Sequence, residues 1–414
     1  MSYTSWQVQR SAYNATTLTW DSPTTLSEFS RPLVEVNSGE AKDSFSITFN
    51  NFNGTYNNLF QPQDKITISR VVNATTFGTA DVLIVGAVKD PPYNQSASRN
   101  EVKIEGYNWS EAIFGAMVFI DPAGQTIPSV IQTALNHVKL YASNFQITWH
   151  PSNPSVTTTG AAFPAIYKQY KNVPLLKLME ELSSNIITQD GSYFWYVDLN
   201  NYLVWRPISG GNAQTFSSST DVFKAIKSAK DVKGIINYVV VKGGRDPNGT
   251  AIQDKYIDAV SAAKNGNKYY WYSDPGIQAE TLNLLDMDKS DPTKKGKHTQ
   301  RFPYSYSFTC AWASQATAGT YPTVASNADY VATLRSEISY RMNQLGNQIL
   351  RDYKNGKLSV DLTFEAGTKT WQLLDRVQCT IPEIFSGSKW LRVREISYSS
   401  DTDIYSLTED VGTI

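Results

Sequence analysis

Ser44-Phe-Ser-Ile-Thr-Phe-Asn50 is the stretch that decides the fold class. Phe45, Ile47 and Phe49 alternate with Ser44, Ser46, Thr48 and Asn50, a period of two. Successive side chains of a strand point to opposite faces, so the pattern predicts a strand with one buried and one wet face. Further along the chain, Ile66 and Ile68 alternate with Thr67 and Ser69, and Val82–Val88 is a more apolar run interrupted by Gly86. Val102 and Ile104 alternate with Lys103 and Glu105 and end at Gly106. Asn, Gly, Pro and Asp fill the gaps, which predicts a small antiparallel barrel or sandwich over about 40–110. Residues 1–40, polar and carrying Pro23 and Pro32, are expected to form an arm leading into it.

The same alternation returns near the other end. Leu358, Val360, Leu362 and Phe364 share one face, with Ser359, Asp361 and Thr363 between them, and Val377–Ile381, Trp390–Ile396 and Ile404–Thr408 complete a second antiparallel set. Helical spacing lies between the two. A short helix is expected over Ser110–Met117. Pro128–Tyr141 places Val130, Ile131, Leu135, Val138 and Leu140 on one side, with Thr126 as its cap and Pro128 in its first turn. Pro174–Ile186 does the same with Leu175, Leu176, Met179 and Leu182. Tyr193–Val197 and Tyr202–Arg206 flank Asp198-Leu-Asn-Asn, a hairpin signature. Ile235–Val241 reads as a strand closed by Gly243 and Gly244. Asp329–Tyr353 is the longest helical signal, with Val331, Leu334, Ile338, Met342, Leu345 and Ile349 along one side.

A chain of 414 residues exceeds one ordinary core, so two to four domains are expected. Its 24 Tyr, 17 Phe and 10 Trp exclude a disordered composition. Net charge is -1, without the basic surplus of a protein that grips duplex DNA by its phosphates. Lys294, Lys295, Lys297 and His298 form only a short basic run. Two cysteines, Cys310 and Cys379, make no disulfide framework, and the simpler reading is that both stay reduced. The opening residues lack the basic end and apolar run of a signal peptide, and no stretch approaches ~20 consecutive apolar residues.

Catalytic and metal-binding signatures are missing. His137, His150 and His298 have no second His or Cys at metal-ligand spacing. Gly244-Arg-Asp-Pro-Asn-Gly-Thr250 has a threonine where a phosphate loop needs lysine, so an ordinary turn is favoured. Asp286, Asp288 and Asp291 resemble a calcium loop, but Asp291 and Lys297 stand where glycine and glutamate belong. Glu180 and Glu181 are adjacent on a helix and point apart, which suits a solvated face better than paired acid–base work. The rings of Tyr193-Phe-Trp-Tyr196 and Tyr202–Trp205 invite a sugar-stacking role, against the commoner role of core and cross-strand pairs. No catalytic, cofactor-binding or metal residue is assigned.

In order along the chain, Phe45-Ser-Ile-Thr-Phe49, Gln63-Asp-Lys-Ile-Thr-Ile68, Val82-Leu-Ile-Val-Gly86-Ala-Val88 and Val102-Lys-Ile-Glu-Gly106-Tyr resemble the opening of phage tail baseplate or tail-tip hub proteins. Ile127-Pro-Ser-Val-Ile131, Leu175–Leu182 and the hairpin ending Tyr202-Leu-Val-Trp-Arg-Pro207 are similar to that family's middle, and Ile236–Gly244 to its return strand. Asp375-Arg-Val-Gln-Cys379 and Trp390–Ile396 are similar to its closing strands. Asp375 departs from the pattern, which commonly has glycine at that tight turn. The resemblance covers most of the chain, least over 1–40 and 244–330.

The resemblance implies an α+β fold, mainly antiparallel β, with two small tube-like barrel or sandwich domains and helical and hairpin insertions. The expected division is an arm at 1–40, a first tube-like domain at 41–120 with about 232–244, and a helix-and-hairpin domain at 121–231. A peripheral lobe at 245–328, then the long helix and second tube-like domain at 329–414, complete it. It further implies a non-enzymatic homotrimer without cofactor, at the tail baseplate or tip of a virion assembled in the host cytoplasm. Its partners would be a tail-tube or distal tail protein above, a spike, fibre or tip protein below, a tape-measure protein in the channel, and DNA passing without specific binding. A carbohydrate- or receptor-binding tip module and a cell-wall hydrolase are the alternatives.

Overall fold

The computed structural model describes residues 4–409 apart from 40–41, 53, 57, 90–99, 123–124, 143–144, 155–164, 167–168, 185–192, 208–210, 232–233, 246–249, 274–337, 340–341, 344, 348, 352 and 355–356. The first β module contains β1 (Thr4–Ser11), β2 (Thr24–Leu26), β3 (Phe29–Asn37), β4 (Ser44–Asn50), β5 (Lys65–Val72), β6 (Val82–Val88) and β7 (Glu101–Asn108). These pair antiparallel in the order β3-β4-β7-β6-β5-β1-β2. Phe45, Ile47, Phe49, Ile66, Ile68, Ile84, Val102 and Ile104 gather in one core, as their alternation predicts. Burying each such side chain contributes about 1.5–3 kcal/mol. Gly86 sits in β6 because a Cβ there would strike the Tyr107 carbonyl of the neighbouring strand.

The expected arm at 1–40 is corrected: it supplies three strands of the first module's sheet, and Tyr13–Asn14 pairs with Thr19–Trp20 beside them. β1 pairs with β5 from Thr4↔Val72 to Ser11↔Lys65. Its strand signal is weak because the positions in register with Ile68 and its neighbours are Trp6, Val8 and Arg10, of which only Val8 is small, apolar and fully buried. Pro32 belongs to β3, at a shift of register between Ser30 and Leu33, one of the few places where a sheet accepts proline.

The helix-and-hairpin module follows as α1 (Glu111–Gly115), β8 (Met117–Ile120), α2 (Ile127–Tyr141), β9 (Tyr170–Pro174), α3 (Leu175–Ser184), β10 (Tyr193–Val197) and β11 (Tyr202–Pro207). Its core joins Val130, Ile131, Leu135 and Val138 of α2 to Leu175, Leu178, Met179 and Leu182 of α3. Leu140 lies outside that face and is exposed. Thr126 holds the extended N-cap position of α2 without a capping hydrogen bond from its side chain. In the hairpin Trp195 stands opposite Trp205, whose ring stacks on Tyr193 at 4.0 Å and whose indole N–H donates to Ser183 Oγ at 3.0 Å.

β12 (Ala213–Ser217) and β13 (Ala225–Asp231) belong to the second β module, not to the helical one as expected. β14 (Tyr238–Arg245) likewise does not return to the first module. It forms a separate three-stranded sheet with β15 (Ala251–Ile257) and β16 (Tyr269–Ser273), with α4 (Ala259–Asn265) between those two. Val239, Val241 and Ile252 of that sheet pack on Ile338, Met342, Leu345 and Leu350 of the expected long helix, whose Val331 and Leu334 lie outside the described residues. Alternation and helical spacing announce the elements; neither names the partner.

The second β module is completed by β17 (Lys357–Glu365), β18 (Arg376–Thr380), β19 (Ser388–Tyr398) and β20 (Thr402–Glu409), paired β13-β17-β20-β19-β18-β12. Val360, Leu362, Phe364, Val377, Leu391, Val393, Tyr405 and Leu407 form its core. The molecule is mainly antiparallel β, as expected, and contains two such modules.

Candidate functional site: the seam between two β modules

The two β modules carry the same turn. In the first, Asp64 is fully buried before β5; its carboxylate accepts from the backbone N–H of Tyr13 and Gln61, both at 2.9 Å, and from Arg10 Nε at 2.7 Å. In the second, Asp375 is buried before β18 and accepts from the backbone N–H of Asn212 at 3.1 Å and Gln372 at 2.9 Å, and from Gln214 Nε2 at 3.4 Å. Each aspartate follows a left-handed residue, Gln63 at φ 73° and Leu374 at φ 77°. Each exchanges backbone hydrogen bonds with a strand beyond: Gln63 N–H to the Val88 carbonyl and Val88 N–H to that of Asp64, then Leu374 N–H to Val393 and Val393 N–H to Asp375. Asp375 repeats Asp64, and each carboxylate caps the turn made by the left-handed residue before it.

The modules are joined edge to edge. Val34–Asn37 of β3 pairs antiparallel with Glu395–Tyr398 of β19, so one continuous sheet runs through both. A buried ion pair clamps the seam. Arg70 of β5 grips both carboxylate oxygens of Asp403 on β20, Oδ2 at 3.0 Å, with side chains 7% and 0% exposed. The guanidinium lies over Tyr398 at 4.6 Å and Trp6 at 5.6 Å, and Asp403 Oδ2 also accepts the Gly367 N–H at 2.8 Å. A planar fork between two rings suits arginine and not lysine. Gly367 has φ +74°, and a Cβ there would come within 2.5 Å of Val72. The helical module docks beside the same seam, with Phe194 facing Arg392 at 5.8 Å and Arg394 at 5.0 Å.

Three solved structures share the fold along nearly the whole chain. The tail protein from Neisseria meningitidis MC58 is 11% identical, with a TM-score of 0.55, covering 98% of this chain and 97% of that one. Prophage tail protein gp18 from Listeria monocytogenes EGD-e is 11% identical, with a TM-score of 0.53 over 98% and 95%. The 43 kDa tail protein of prophage MuSo2 from Shewanella oneidensis is 13% identical, with a TM-score of 0.51 over 97% and 98%. The chain has a phage tail-protein fold. No family model and no curated protein matches the sequence.

Within this tail-protein fold the residues weighed as catalytic or ligating do not converge. His137 sits on α2 against Tyr141, ring centroids 5.6 Å apart. His150 has Ser152 Oγ at 2.7 Å from Nδ1 and Asp198 at 3.9 Å from Nε2. That is not a triad: 3.9 Å is beyond a hydrogen bond, and Asp198 Oδ1 is accepting the Asn200 and Tyr202 N–H groups of the hairpin turn. Glu181 accepts from the Tyr170 hydroxyl at 3.2 Å, and Glu180 is exposed on the same helix. No group of three His, Cys, Asp or Glu capable of holding a metal occurs among the described residues. Asp286, Asp288, Asp291, His298, Cys310 and most of the Gly244–Thr250 turn lie outside those residues. Cys379 is a buried free thiol, pushed up to about 12 by burial. Tyr193, Phe194, Trp195 and Trp205 are buried, so these hairpin rings are core, while Tyr196 and Tyr202 are half-buried.

Asp43 lies where β3 turns into β4 beside the seam. Burial pushes its carboxyl up to about 7, although the Asn37 N–H and the Asn108 side chain both donate to it. The folded state then holds a proton that the unfolded chain releases near pH 4, so stability falls as pH rises from about 4 to about 7. The expected loss is on the order of 3 kcal/mol, and Asp43→Asn removes that part of the slope. Urea unfolding of both proteins at pH 4.5 and 7.5 checks this; parallel changes in the two would contradict it.

Proposed function

We propose that the chain is a structural hub subunit of a phage tail, three copies of which close into a ring that joins the tail tube to the tip and leaves a channel for DNA. The observation that carries this reading is the repeated module, with the Asp64 and Asp375 turns in equivalent places and the two sheets hydrogen-bonded through β3 and β19. Two similar units fixed side by side let three chains offer six similar units. A sixfold tube or distal tail protein then meets one side and a threefold spike, fibre or tip protein the other. The tail-protein fold supports the same reading.

The wet face of the continuous sheet is the natural channel wall. It is polar, with Ser46 and Thr48 on β4 and the carboxylates Glu35, Asp361 and Glu395 near the seam, and its cations Lys103 and Lys227 are interspersed opposite Thr48 and Asp361. Burial and the neighbouring Glu35 and Asp361 raise the Glu395 pKa above the usual range. Such a wall would not hold DNA by its phosphates, and a tape-measure protein would occupy it before ejection. The subunit needs no cofactor and no catalysis in this role, and it belongs to the baseplate or tip of a virion assembled in the host cytoplasm. No helix among the described residues is long and apolar enough to cross a membrane.

Negative-stain images of the purified chain, alone and co-expressed with its tube protein, test the proposal. Rings with six lobes around a hole are expected in at least one preparation; isolated particles in both would contradict it. The hydrolase alternative predicts clearing on a peptidoglycan zymogram, and none is expected.

A further inference from the structure

The outer face of the β14–β16 lobe gathers exposed rings and lysines. One face of that sheet is covered by the long helix. On the other, register places Ile257, Tyr238 and Tyr269 in one row, Lys255, Val240 and Trp271 in the next, and Gln253, Lys242 and Ser273 in a third. Tyr269 and Trp271 are each 60% exposed, and Ile257 is 53% exposed. Lys242 Nζ lies 5.0 Å from the centre of the Trp271 ring, and Tyr238 leans on Tyr269 at 4.5 Å. The carboxylates of these strands and of the turn into α4, Asp254 and Asp258, are engaged elsewhere, with the Tyr256 hydroxyl and with Lys354. Among the described residues the face therefore carries two lysines and no acid, on a chain whose net charge is -1.

We propose that this face binds an anionic saccharide chain, with sugar rings stacked on Trp271 and Tyr269 and their acidic groups paired with Lys242 and Lys255. Pyranose rings present flat C–H faces, which match aromatic rings standing side by side on a strand. Lys242 on β14 and Lys255 on β15 both lie on the inner side of that ring row and supply the complementary charge. A protein partner would need a broader apolar centre than one isoleucine and two rings. A single nucleic-acid strand would need a longer basic track than two cations.

The test is titration of the full chain with an oligogalacturonate hexamer, followed by Trp fluorescence and calorimetry, with maltohexaose and oligothymidylate as comparisons. Saturable binding to the oligogalacturonate, weakened by salt, is expected. Trp271→Ala and the pair Lys242→Gln with Lys255→Gln should each lower affinity about tenfold or more while circular dichroism stays unchanged. The proposal is overturned by no saturable binding, by binding that survives both changes, by equal affinity for maltohexaose, or by tighter binding of oligothymidylate.

Discussion

Replacing Asp403 with alanine is expected to destabilise the chain by about 3–5 kcal/mol, because Arg70 then keeps its charge in a buried slot with no counter-ion. Arg70 has no easy escape: it is 7% exposed and held between Trp6 and Tyr398. The desolvation cost of the pair is already met in the folded protein, so removing both charges does far less harm than removing one. Arg70→Met combined with Asp403→Leu should recover most of the loss, to within about 1–2 kcal/mol of the parent. Chemical denaturation of the single and double variants decides it. A single variant as stable as the parent would mean that the clamp does not hold the modules. Since the pair spans the seam, Asp403→Ala should also impair ring formation, whereas the double variant should still assemble.

The second large effect is expected at the repeated turns. Asp64→Ala strands two part-buried backbone N–H groups and the Arg10 guanidinium, and should cost about 3–5 kcal/mol. Asp375→Ala strands two backbone N–H groups and a weaker amide partner at 3.4 Å, and should cost about 2–4 kcal/mol. The order matters more than either value, since the turns differ chiefly in Arg10 against Gln214. Thermal and urea unfolding of both variants measures it. Equal losses would imply that the Arg10 pair contributes nothing.

The strands around Phe45 and Leu358 are legible in the sequence because each buries one face and wets the other, which writes the period of two into the apolar residues. β1 is not, since Trp6 and Arg10 stand where a strand pattern wants small aliphatics, and Arg10 is there to reach Asp64. Pro32 hides β3 in the same way. The long helix announces its apolar face through Ile338, Met342 and Leu345, but the β14–β16 sheet that it covers is set by pairings that spacing cannot report. The seam is the least legible feature. β3 and β19 meet across most of the chain, and neither Arg70 nor Asp403 belongs to a local motif. The repeat itself was within reach: Gln61-Pro-Gln-Asp-Lys-Ile-Thr-Ile68 and Gln372-Leu-Leu-Asp-Arg-Val-Gln-Cys379 share Gln-x-x-Asp, a cation and an alternating strand. The spacing from glutamine to aspartate carries the signal, because the carboxylate turns back to cap the glutamine N–H.

Function is legible only as a pattern of order, since a ring subunit needs surfaces and a repeat instead of a catalytic cluster. The whole account rests on two like modules per chain standing in for two neighbours of a sixfold tube. Native mass spectrometry of the full chain, across a range of concentrations, tests that most directly. The account predicts a species of three chains and no stable pair; a single chain at every concentration, or an assembly whose subunit number is not a multiple of three, would contradict it.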